Sequence, residues 1–340
     1  MTRPLLSHVL ASYTPDDFNT APADLELLRA LGFRVITFVP SYYIHEFHSG
    51  ALQLDTSRTP GLKKQQEIFQ LALNLGFVLR VTPHLEIAHS SKWRAELRLN
   101  PLAPIAPSGL SYESAILTPT LQLMARALHK TPHAHAHAVL TLGSELERSI
   151  AQYASKWRQL LLHMQEQRQA LACGERIEFC FNFNWDHHAR YGANPARDAF
   201  IAGLDCASIS FYPPVRLPFA LTQDRRTAYQ HCTAWLRLLQ SRLDIGEFGL
   251  GSADWRQPYA YDAQAFESDS GEAARQSRRA YWRGMLDFLA AAGNDPAHAT
   301  IWSVGAYNVL GAYGNYSQRD EWIIDAVMEY NQQGVHLADP

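Results

Sequence analysis

The feature that most constrains the fold is a repeated alternation of short apolar runs with longer helical patterns. Eight runs have the composition of β-strands, and they lie at 5–13, 34–43, 77–86, 137–145, 177–185, 204–212, 243–250 and 299–307. Between them, apolar residues recur at helical spacing, most clearly at 23–32, 61–76, 146–172, 271–293 and 320–334. Strands separated by helices of this length are typical of βαβ units with a parallel sheet.

Eight such units in 340 residues predict a single (β/α)8 TIM barrel that spans residues 1–340. The near-continuous apolar character of several strands fits parallel strands that are buried on both faces. No Gly- or Pro-rich linker divides the chain. Long segments follow the third strand, at about 87–110, and the seventh, at about 251–270. We expect both on the C-terminal rim, the ring formed by the C-terminal ends of the strands, where barrel enzymes place their active sites.

Charge and composition weigh against several classes of partner. The net charge is −3, and no basic stripe with interleaved aromatic residues occurs, which argues against nucleic acid and anionic membranes. No apolar stretch is long enough for a membrane helix. The N-terminal apolar run is interrupted by Ser7 and His8, unlike a signal peptide. The four cysteines show no C-x-x-C spacing and have apolar neighbours, which indicates reduced thiols and a cytoplasmic protein. The sequence does not indicate an oligomeric state.

Polar and aromatic residues collect where the predicted strands end. From the second strand to the eighth, these ends read "SYYIHEFH", "PHLE", "GSELE", "NWDHH", "FYPP", "GEFGLGS" and "WSVGAYN". Strand ends always turn polar as they meet loops, but Ser, Gly, Asp and Lys would then be expected. Repeated Glu, His, Trp and Tyr instead indicate a ligand site. Aromatic residues in such segments suit a ligand with flat apolar faces, such as a sugar.

Two carboxylates are delivered to this rim by apolar strands. Glu145 follows "AVLTLGS" and Glu247 follows "LDIG". Either glutamate alone could simply pair with an arginine. Two carboxylates that face one cavity are the arrangement that glycoside hydrolysis needs, because one protonates the leaving oxygen while the other attacks the anomeric carbon or activates water.

These motifs resemble those of clan A of the glycoside hydrolases, the retaining (β/α)8 enzymes. "LGSELE" is similar to the clan's strand-four motif, and "IGEFGLGS" is similar to its strand-seven motif. "ISFYPP" resembles the strand-six end that presents a tyrosine beside the nucleophile. The set "PHL", "GSEL", "SFYPP" and "GEFG" is most similar to glycoside hydrolase family 113, whose known members act on β-mannans. The resemblance covers about residues 5–332.

The resemblance implies a retaining β-glycosidase without a cofactor, most similar to enzymes acting on β-1,4-mannan or manno-oligosaccharides. Glu145 would be the acid/base, Glu247 the nucleophile, and Tyr212 a hydrogen-bond donor to Glu247. Retention implies carboxyl groups about 5–5.5 Å apart and a higher pKa for Glu145 than for Glu247. Ser144 departs from the clan, in which an Asn at this place contacts the sugar 2-hydroxyl, and this leaves the sugar preference open. Glu147 competes with Glu145 but is expected to begin the next helix.

Further rim residues are candidates for contacts with the carbohydrate. They are His84, Trp93, Asn184, Trp185, Trp255, Trp302 and Tyr307. Trp302 could lie beneath the sugar at the reacting position, or alternation could turn it into the barrel wall. For the loop residues Trp93 and Trp255, as for Tyr259 and Tyr261, local packing is the alternative explanation.

Three other functions are possible on the same barrel. One is another clan A activity, of the β-glucosidase or β-galactosidase type, and another is a non-catalytic carbohydrate-binding barrel, against which the presence of both glutamates speaks. The third is a metal-dependent hydrolase, but strands one and eight end in "ASY" and "AYN" and lack its usual ligands. Metal-like sets also occur, but no partner at fixed spacing completes them, and no metal is expected; these are His45, Glu46 and His48, and His187 with His188.

The histidine run "HAHAH" before the fourth strand does not belong to this rim. The eight steps from His137 to Glu145 span roughly 26 Å of extended chain. We therefore expect His133, His135 and His137 in a solvated loop at the N-terminal face of the barrel.

Overall fold

The computed structural model describes residues 3–14, 16–46, 52–55, 57–87, 93–105, 109–212, 222–240, 242–249, 272–293, 295–302 and 317–335. The strands are β1 (Leu5–Ser12), β2 (Val35–Glu46), β3 (Leu52–Asp55), β4 (Val78–Val81), β5 (His84–Ile87), β6 (Ala138–Ser144), β7 (Ile177–Asn184), β8 (Cys206–Ser210), β9 (Leu243–Phe248) and β10 (His298–Ile301). The α-helices are α1 (Ala21–Ala30), α2 (Leu62–Asn74), α3 (Thr118–Lys130), α4 (Glu147–Ala170), α5 (His187–Tyr191), α6 (Pro195–Ala202), α7 (Thr222–Thr233), α8 (Glu272–Ala291) and α9 (Ser317–Val335).

Parallel pairing closes the sheet on itself. The strands follow one another around the ring in the order β1, β10, β9, β8, β7, β6, β4 and β2, and β2 pairs with β1 again. Helices pack on the outside between successive strands. The predicted (β/α)8 TIM barrel is therefore confirmed, and all eight predicted strands correspond to barrel strands.

Two local departures affect the third strand and its neighbour. The predicted run 77–86 is divided into β4 and β5 around Pro83, because proline has no N–H to donate to the ladder. β5 continues the pairing along the upper part of β2, from Ser41 opposite His84 to Ile44 opposite Ile87. The sequence analysis also missed β3, which pairs antiparallel with the end of β2, and the helices α3, α5, α6 and α7.

The barrel interior contains polar and charged layers as well as aliphatic ones. The hydroxyl groups of Ser7, Thr37 and Thr300 form hydrogen bonds in the interior. The distance from Ser7 Oγ to Thr37 Oγ1 is 2.7 Å, and that from Thr37 Oγ1 to Thr300 Oγ1 is 3.2 Å. Arg80 on β4 forms a fully buried ion pair with Asp244 on β9, across the interior. The apolar core lies between the strands and the helices, where Trp157, Phe181 and Phe200 pack edge to face.

The described part of the chain has no helix both long and apolar enough to cross a bilayer. Of the two long rim segments that the sequence predicted, part of 87–110 is described and 251–270 lies outside the described residues. The histidine run lies where it was predicted. His133 and His135 are exposed in the loop before β6, and the His133 ring contacts the backbone oxygen of Asn74 at 3.1 Å.

Candidate active site

A β-bulge in β9 turns Glu247 into the barrel. Ile209 on β8 pairs with Ile245, but the next residue pairs with Glu247, so β9 has one extra residue, Gly246. The pairing of β10 with β9 shows the same shift. Asp244 faces the interior, and strict alternation would therefore point Glu247 outwards. The bulge reverses this direction, which is a common use of bulges next to functional sites.

Gly246 is also required by the space around it. A Cβ atom at this position would overlap the Asn182 side-chain oxygen and lie 2.8 Å from the Ser208 hydroxyl. The approach of Asn182 to β9 therefore depends on a residue without a side chain.

A second bulge precedes Glu145. Thr141 pairs with Cys180 and Ser144 with Asn182, so β6 contains one more residue than β7 over this stretch. A Cβ atom on Gly143, within the bulge, would lie 2.6 Å from the Phe181 ring. Glu145 itself has φ +54°, a left-handed conformation that is uncommon for a residue other than glycine. Its N–H donates to the Asn182 carbonyl at 2.9 Å, which fixes this turn.

The Glu247 carboxylate receives neutral hydrogen-bond donors from β8, the strand beside it, and from β7, the next strand around the barrel. The Ser210 hydroxyl and, at 3.4 Å, the Asn182 amide both donate to Oε1 of Glu247. The same amide donates to Ser144 Oγ at 3.0 Å and to Ser210 Oγ at 2.9 Å. Ser144 therefore interacts with an asparagine from the neighbouring strand, β7.

The Glu145 carboxylate has a charged donor instead. Arg94 donates from Nη1 to Oε2 at 2.7 Å, and the Trp93 indole donates to the same oxygen at 3.1 Å. Arg94 also donates from Nη2 to Glu86 Oε1 at 2.5 Å. Burial by itself would raise the pKa of Glu86, but Arg94 and His84 together lower it to about 2.

The two glutamates lie close enough to share a proton. Glu145 is 2% exposed and Glu247 is 4% exposed, and their side chains are within hydrogen-bonding reach of each other. Burial and the Glu145 charge raise the pKa of Glu247 well above its ordinary value. The sequence analysis expected the higher pKa at Glu145, and this stays a prediction.

Several predicted ligand-contacting residues surround this pair. His84 is buried and stacks on Trp302, with ring centroids 5.0 Å apart at 19°. Trp302 follows β10, and its N–H donates to the Phe248 carbonyl on β9 at 2.7 Å. Trp185 and Tyr212 are half-buried beyond the ends of β7 and β8. Tyr307 and Trp255, like Tyr259 and Tyr261, lie outside the described residues.

Asn184 lies in a buried polar cluster with Glu147. Glu147 begins α4, as predicted, and its Oε1 accepts the Asn184 N–H at 2.5 Å. His187 Nδ1 lies 3.6 Å from the same oxygen. The rings of His187 and His188 both stack on Trp235, so the two histidines are held by aromatic packing. Within the residues that the structure describes, no group of three or more His, Cys, Asp or Glu side chains is placed to hold a metal ion.

The sequence analysis missed four residues of this site. Arg94 and Glu86 are brought to Glu145 by the segment after β4, while Asn182 and Ser210 reach Glu247 from adjacent strands. Asn182 and Ser210 each lie two residues before the strand-end residue that the sequence analysis selected on the same strand. Side chains two positions apart on a strand face the same side, so this alternation could have indicated both residues. Arg94 lies in an irregular segment, where no periodicity indicates direction.

Comparison with solved structures finds the same fold in glycoside hydrolases. A GH113 β-1,4-mannanase complex matches with a TM-score of 0.66 and 15% identity, over 97% of this chain and 99% of that chain. The GH113 β-mannanase of Alicyclobacillus acidocaldarius, in complex with ManMIm, matches with a TM-score of 0.65 and 14% identity, over 98% and 97%. A GH5_18 protein of Bifidobacterium longum, in complex with Manβ1-4GlcNAc, matches with a TM-score of 0.57 and 13% identity, over 97% and 78%.

No protein-family model matches the chain, and no curated protein matches it significantly in sequence. The likeness to GH113 β-mannanases that the strand-end motifs suggested is therefore found in the fold, over nearly the whole chain.

Proposed function

We propose that the protein is a retaining β-glycoside hydrolase in which Glu145 is the acid/base and Glu247 is the nucleophile. The observation that carries this proposal is the convergence of two buried carboxylates at one point of the C-terminal rim. Each is turned into the site by a glycine-containing bulge or a left-handed turn, and these are local geometries that packing alone does not need.

The direct interaction of the two carboxylates supports retention. Inverting glycosidases need about 6.5–9.5 Å between the two groups to admit a water, whereas retaining enzymes need about 5–5.5 Å. The Glu145 side chain acts directly on that of Glu247, which fits the closer pairing.

The proposed reaction has two steps. In the first, Glu145 protonates the glycosidic oxygen while Glu247 attacks the anomeric carbon, which forms a covalent glycosyl-enzyme. In the second, Glu145 removes a proton from a water that attacks the same carbon, and Glu247 leaves as a carboxylate. The Ser210 and Asn182 donors stabilise that departing charge.

We propose a β-1,4-linked mannoside or manno-oligosaccharide as the substrate, since β-mannanases share this fold over nearly the whole chain. His84, Trp93, Asn184, Trp185, Tyr212 and Trp302 are the proposed contacts with the sugar, together with Trp255 and Tyr307. Because Ser144 and Asn182 together occupy the place of the usual asparagine, β-glucosides and β-galactosides are the alternative substrates.

The test is a panel of aryl β-mannosides, β-glucosides and β-galactosides and their oligomers. We expect turnover of at least one member, with the product formed in the β configuration by NMR. Glu247→Ala should abolish the activity, and Glu145→Gln should lower it by about 10²–10⁴-fold on substrates with poor leaving groups. A fluoro-sugar inactivator should label Glu247, as detected by mass spectrometry.

Glu113→Gln is the matched control, because Glu113 is also partly buried but pairs with Gln167 outside the barrel. It should retain wild-type activity. Near-normal turnover by Glu247→Ala would exclude the proposed mechanism, and binding of oligosaccharides without any hydrolysis would indicate a carbohydrate-binding barrel.

A further inference from the structure

We propose that Arg94 is a positioning residue that keeps Glu145 ionised and thereby supports the second step of the reaction more than the first. This inference rests on the proposed function. It concerns a residue that neither the sequence motifs nor the fold comparison single out.

Arg94 is held in one orientation by three bonds. Nη1 donates to Glu145 Oε2 at 2.7 Å, Nη2 to Glu86 Oε1 at 2.5 Å and Nε to the Leu85 carbonyl at 3.3 Å. Its side chain is only 11% exposed. A guanidinium with all its edges engaged in this way has little freedom to turn away from Glu145.

One oxygen of Glu145 is occupied by two donors. Oε2 accepts from Arg94 and from the Trp93 indole at 3.1 Å, which leaves Oε1 for proton transfer with substrate, water or Glu247. Both donors act on the carboxylate and cannot accept a proton, because arginine stays charged and the indole nitrogen only donates. The arrangement therefore favours the ionised form of Glu145.

Other charged and titratable groups face the pair from several elements. Around Glu145 and Glu247 these are His84 and Glu86 of β5, Arg94 of the segment after β5, and Tyr13 after β1. Among these groups the three carboxylates, Glu86, Glu145 and Glu247, share the single guanidinium of Arg94, which contacts Glu145 and Glu86. Glu247 accepts from the neutral Ser210 hydroxyl and Asn182 amide, whereas Glu145 accepts from the cationic Arg94.

The two steps place opposite demands on Glu145. The first needs Glu145 to hold the proton that it gives to the glycosidic oxygen. In the second, Glu247 is an uncharged ester, and Glu145 must be ionised to take the proton of the attacking water as the bond from the anomeric carbon to Glu247 breaks. A fixed cation at Glu145 opposes the first demand and meets the second.

The experiment compares Arg94→Met with Arg94→Lys on a dinitrophenyl β-glycoside of the preferred sugar. This leaving group departs without acid assistance, so the second step limits kcat while kcat/KM reports the first. For Arg94→Met we expect kcat to fall about tenfold or more while kcat/KM changes by less than about twofold. Azide attacks the glycosyl-enzyme without a general base and should restore kcat. Arg94→Lys keeps the charge and should retain most of kcat.

Arg168→Met is the matched control. Arg168 also forms an ion pair with a carboxylate, that of Asp205. This ion pair lies near the start of β7, on the face of the barrel opposite to the site. It should leave both kinetic constants unchanged. Equal losses in kcat and kcat/KM for Arg94→Met, without azide rescue, would show that Arg94 only maintains structure. An unchanged kcat would also overturn the inference.

A second measurement separates this inference from the proposed function. Carbon-13 NMR of labelled glutamate carboxyls, assigned with Glu145→Gln and Glu247→Gln, should show Glu145 ionised at a lower pH than Glu247. Arg94→Met should move the Glu145 titration to higher pH. If Glu145 titrates above Glu247 in the wild-type protein, the inference is wrong even where hydrolysis occurs. If the titration order holds but no glycoside is cleaved, the proposed function fails, and the role of Arg94 in the second step fails with it.

Discussion

Individual donors contact Glu247, the proposed nucleophile. Ser210 lies on the strand next to Glu247, and its hydroxyl donates directly to Oε1, which opposes the pKa increase that burial causes. Asn182 holds Ser210 in place with a bond of 2.9 Å and reaches the same oxygen itself. The proposed nucleophile is thus contacted from β8 and β7.

Ser210→Ala should weaken catalysis without unfolding the protein. A hydrogen bond to a charged group contributes about 1.5–3 kcal/mol, so kcat/KM should fall about 10- to 100-fold. Because the lost bond lowered the pKa of Glu247, the acidic limb of the kcat/KM profile should move to higher pH. Ser7→Ala, which removes an equally buried hydroxyl at the other end of the barrel, should leave the profile unchanged. An acidic limb that stays in place in Ser210→Ala would contradict this role.

At the residue scale, the two glutamates were easier to select from the sequence than the residues that contact them. Glu145 and Glu247 could be found because each one ends an apolar strand. The contacts of Ser210 and Asn182 depend on which strands are neighbours in the barrel and on inward alternation along them. Arg94 could not be found, because it lies in a single turn of 3-10 helix, Arg94–Glu96, which is too short for periodicity to indicate where its side chains point.

At the scale of elements, the two bulges determine where the carboxylates point. Sequence alternation alone would direct Glu247 away from the interior, and the extra residue in β9 corrects this. The glycines in "LGSE" and "IGEF" were visible in the sequence. Their role in the bulges was not visible, because a bulge can be recognised only when the residues that pair with it on the neighbouring strands are known.

Gly246→Ala should therefore damage the site more than the fold. The added methyl group would overlap the Asn182 side chain, which must then move away from Glu247. We expect kcat to fall by at least about tenfold, with a loss of about 1–3 kcal/mol in the free energy of unfolding. Gly61→Ala is the control, because its added Cβ would meet nothing within 4 Å. Wild-type kcat in Gly246→Ala would show that the close approach of Asn182 does not matter.

At the scale of the whole molecule, a buried ion pair crosses the barrel below the site. Arg80 and Asp244 are 2% and 0% exposed, and His298 Nδ1 lies 3.3 Å from Asp244 Oδ1. The pair connects strands on opposite sides of the barrel. Arg80 lies in a strand that was predicted from the apolar residues around it, and alternation along that strand predicts that its side chain faces the interior. That Asp244 is its partner depends on which strands face each other when the barrel closes, and this could not be predicted.

Arg80→Met should destabilise the protein by about 3–5 kcal/mol, because Asp244 is left as an uncompensated buried charge. Urea unfolding measures the loss. The double variant Arg80→Met with Asp244→Asn should recover part of it. Arg29→Met removes a surface pair with Glu26, in which both side chains are about half exposed, and should change the free energy of unfolding by less than about 1 kcal/mol. Additive losses in the double variant would contradict a direct coupling.

His8 makes the stability of the whole barrel depend on pH. It is fully buried in β1, and burial lowers its pKa from 6.5 to about 4, although a bond of 2.7 Å to the Val9 carbonyl opposes this. The unfolded chain therefore binds a proton between these two pH values while the folded chain does not. The free energy of unfolding must fall as the pH decreases from 6.5 to about 4.

This fall is about 3 kcal/mol for His8 alone, from the free energy that corresponds to its pKa change. His8→Asn keeps a side-chain amide that can donate to Val9 but cannot be protonated in this range. We therefore expect the variant to lose less stability than the wild type between pH 7 and pH 4, in urea unfolding at each pH. His133→Asn, which changes an exposed histidine, should leave the pH dependence as it is. The same slope in His8→Asn and wild type would mean that the acid sensitivity of the barrel comes from its other buried groups, such as His84, whose pKa burial also lowers.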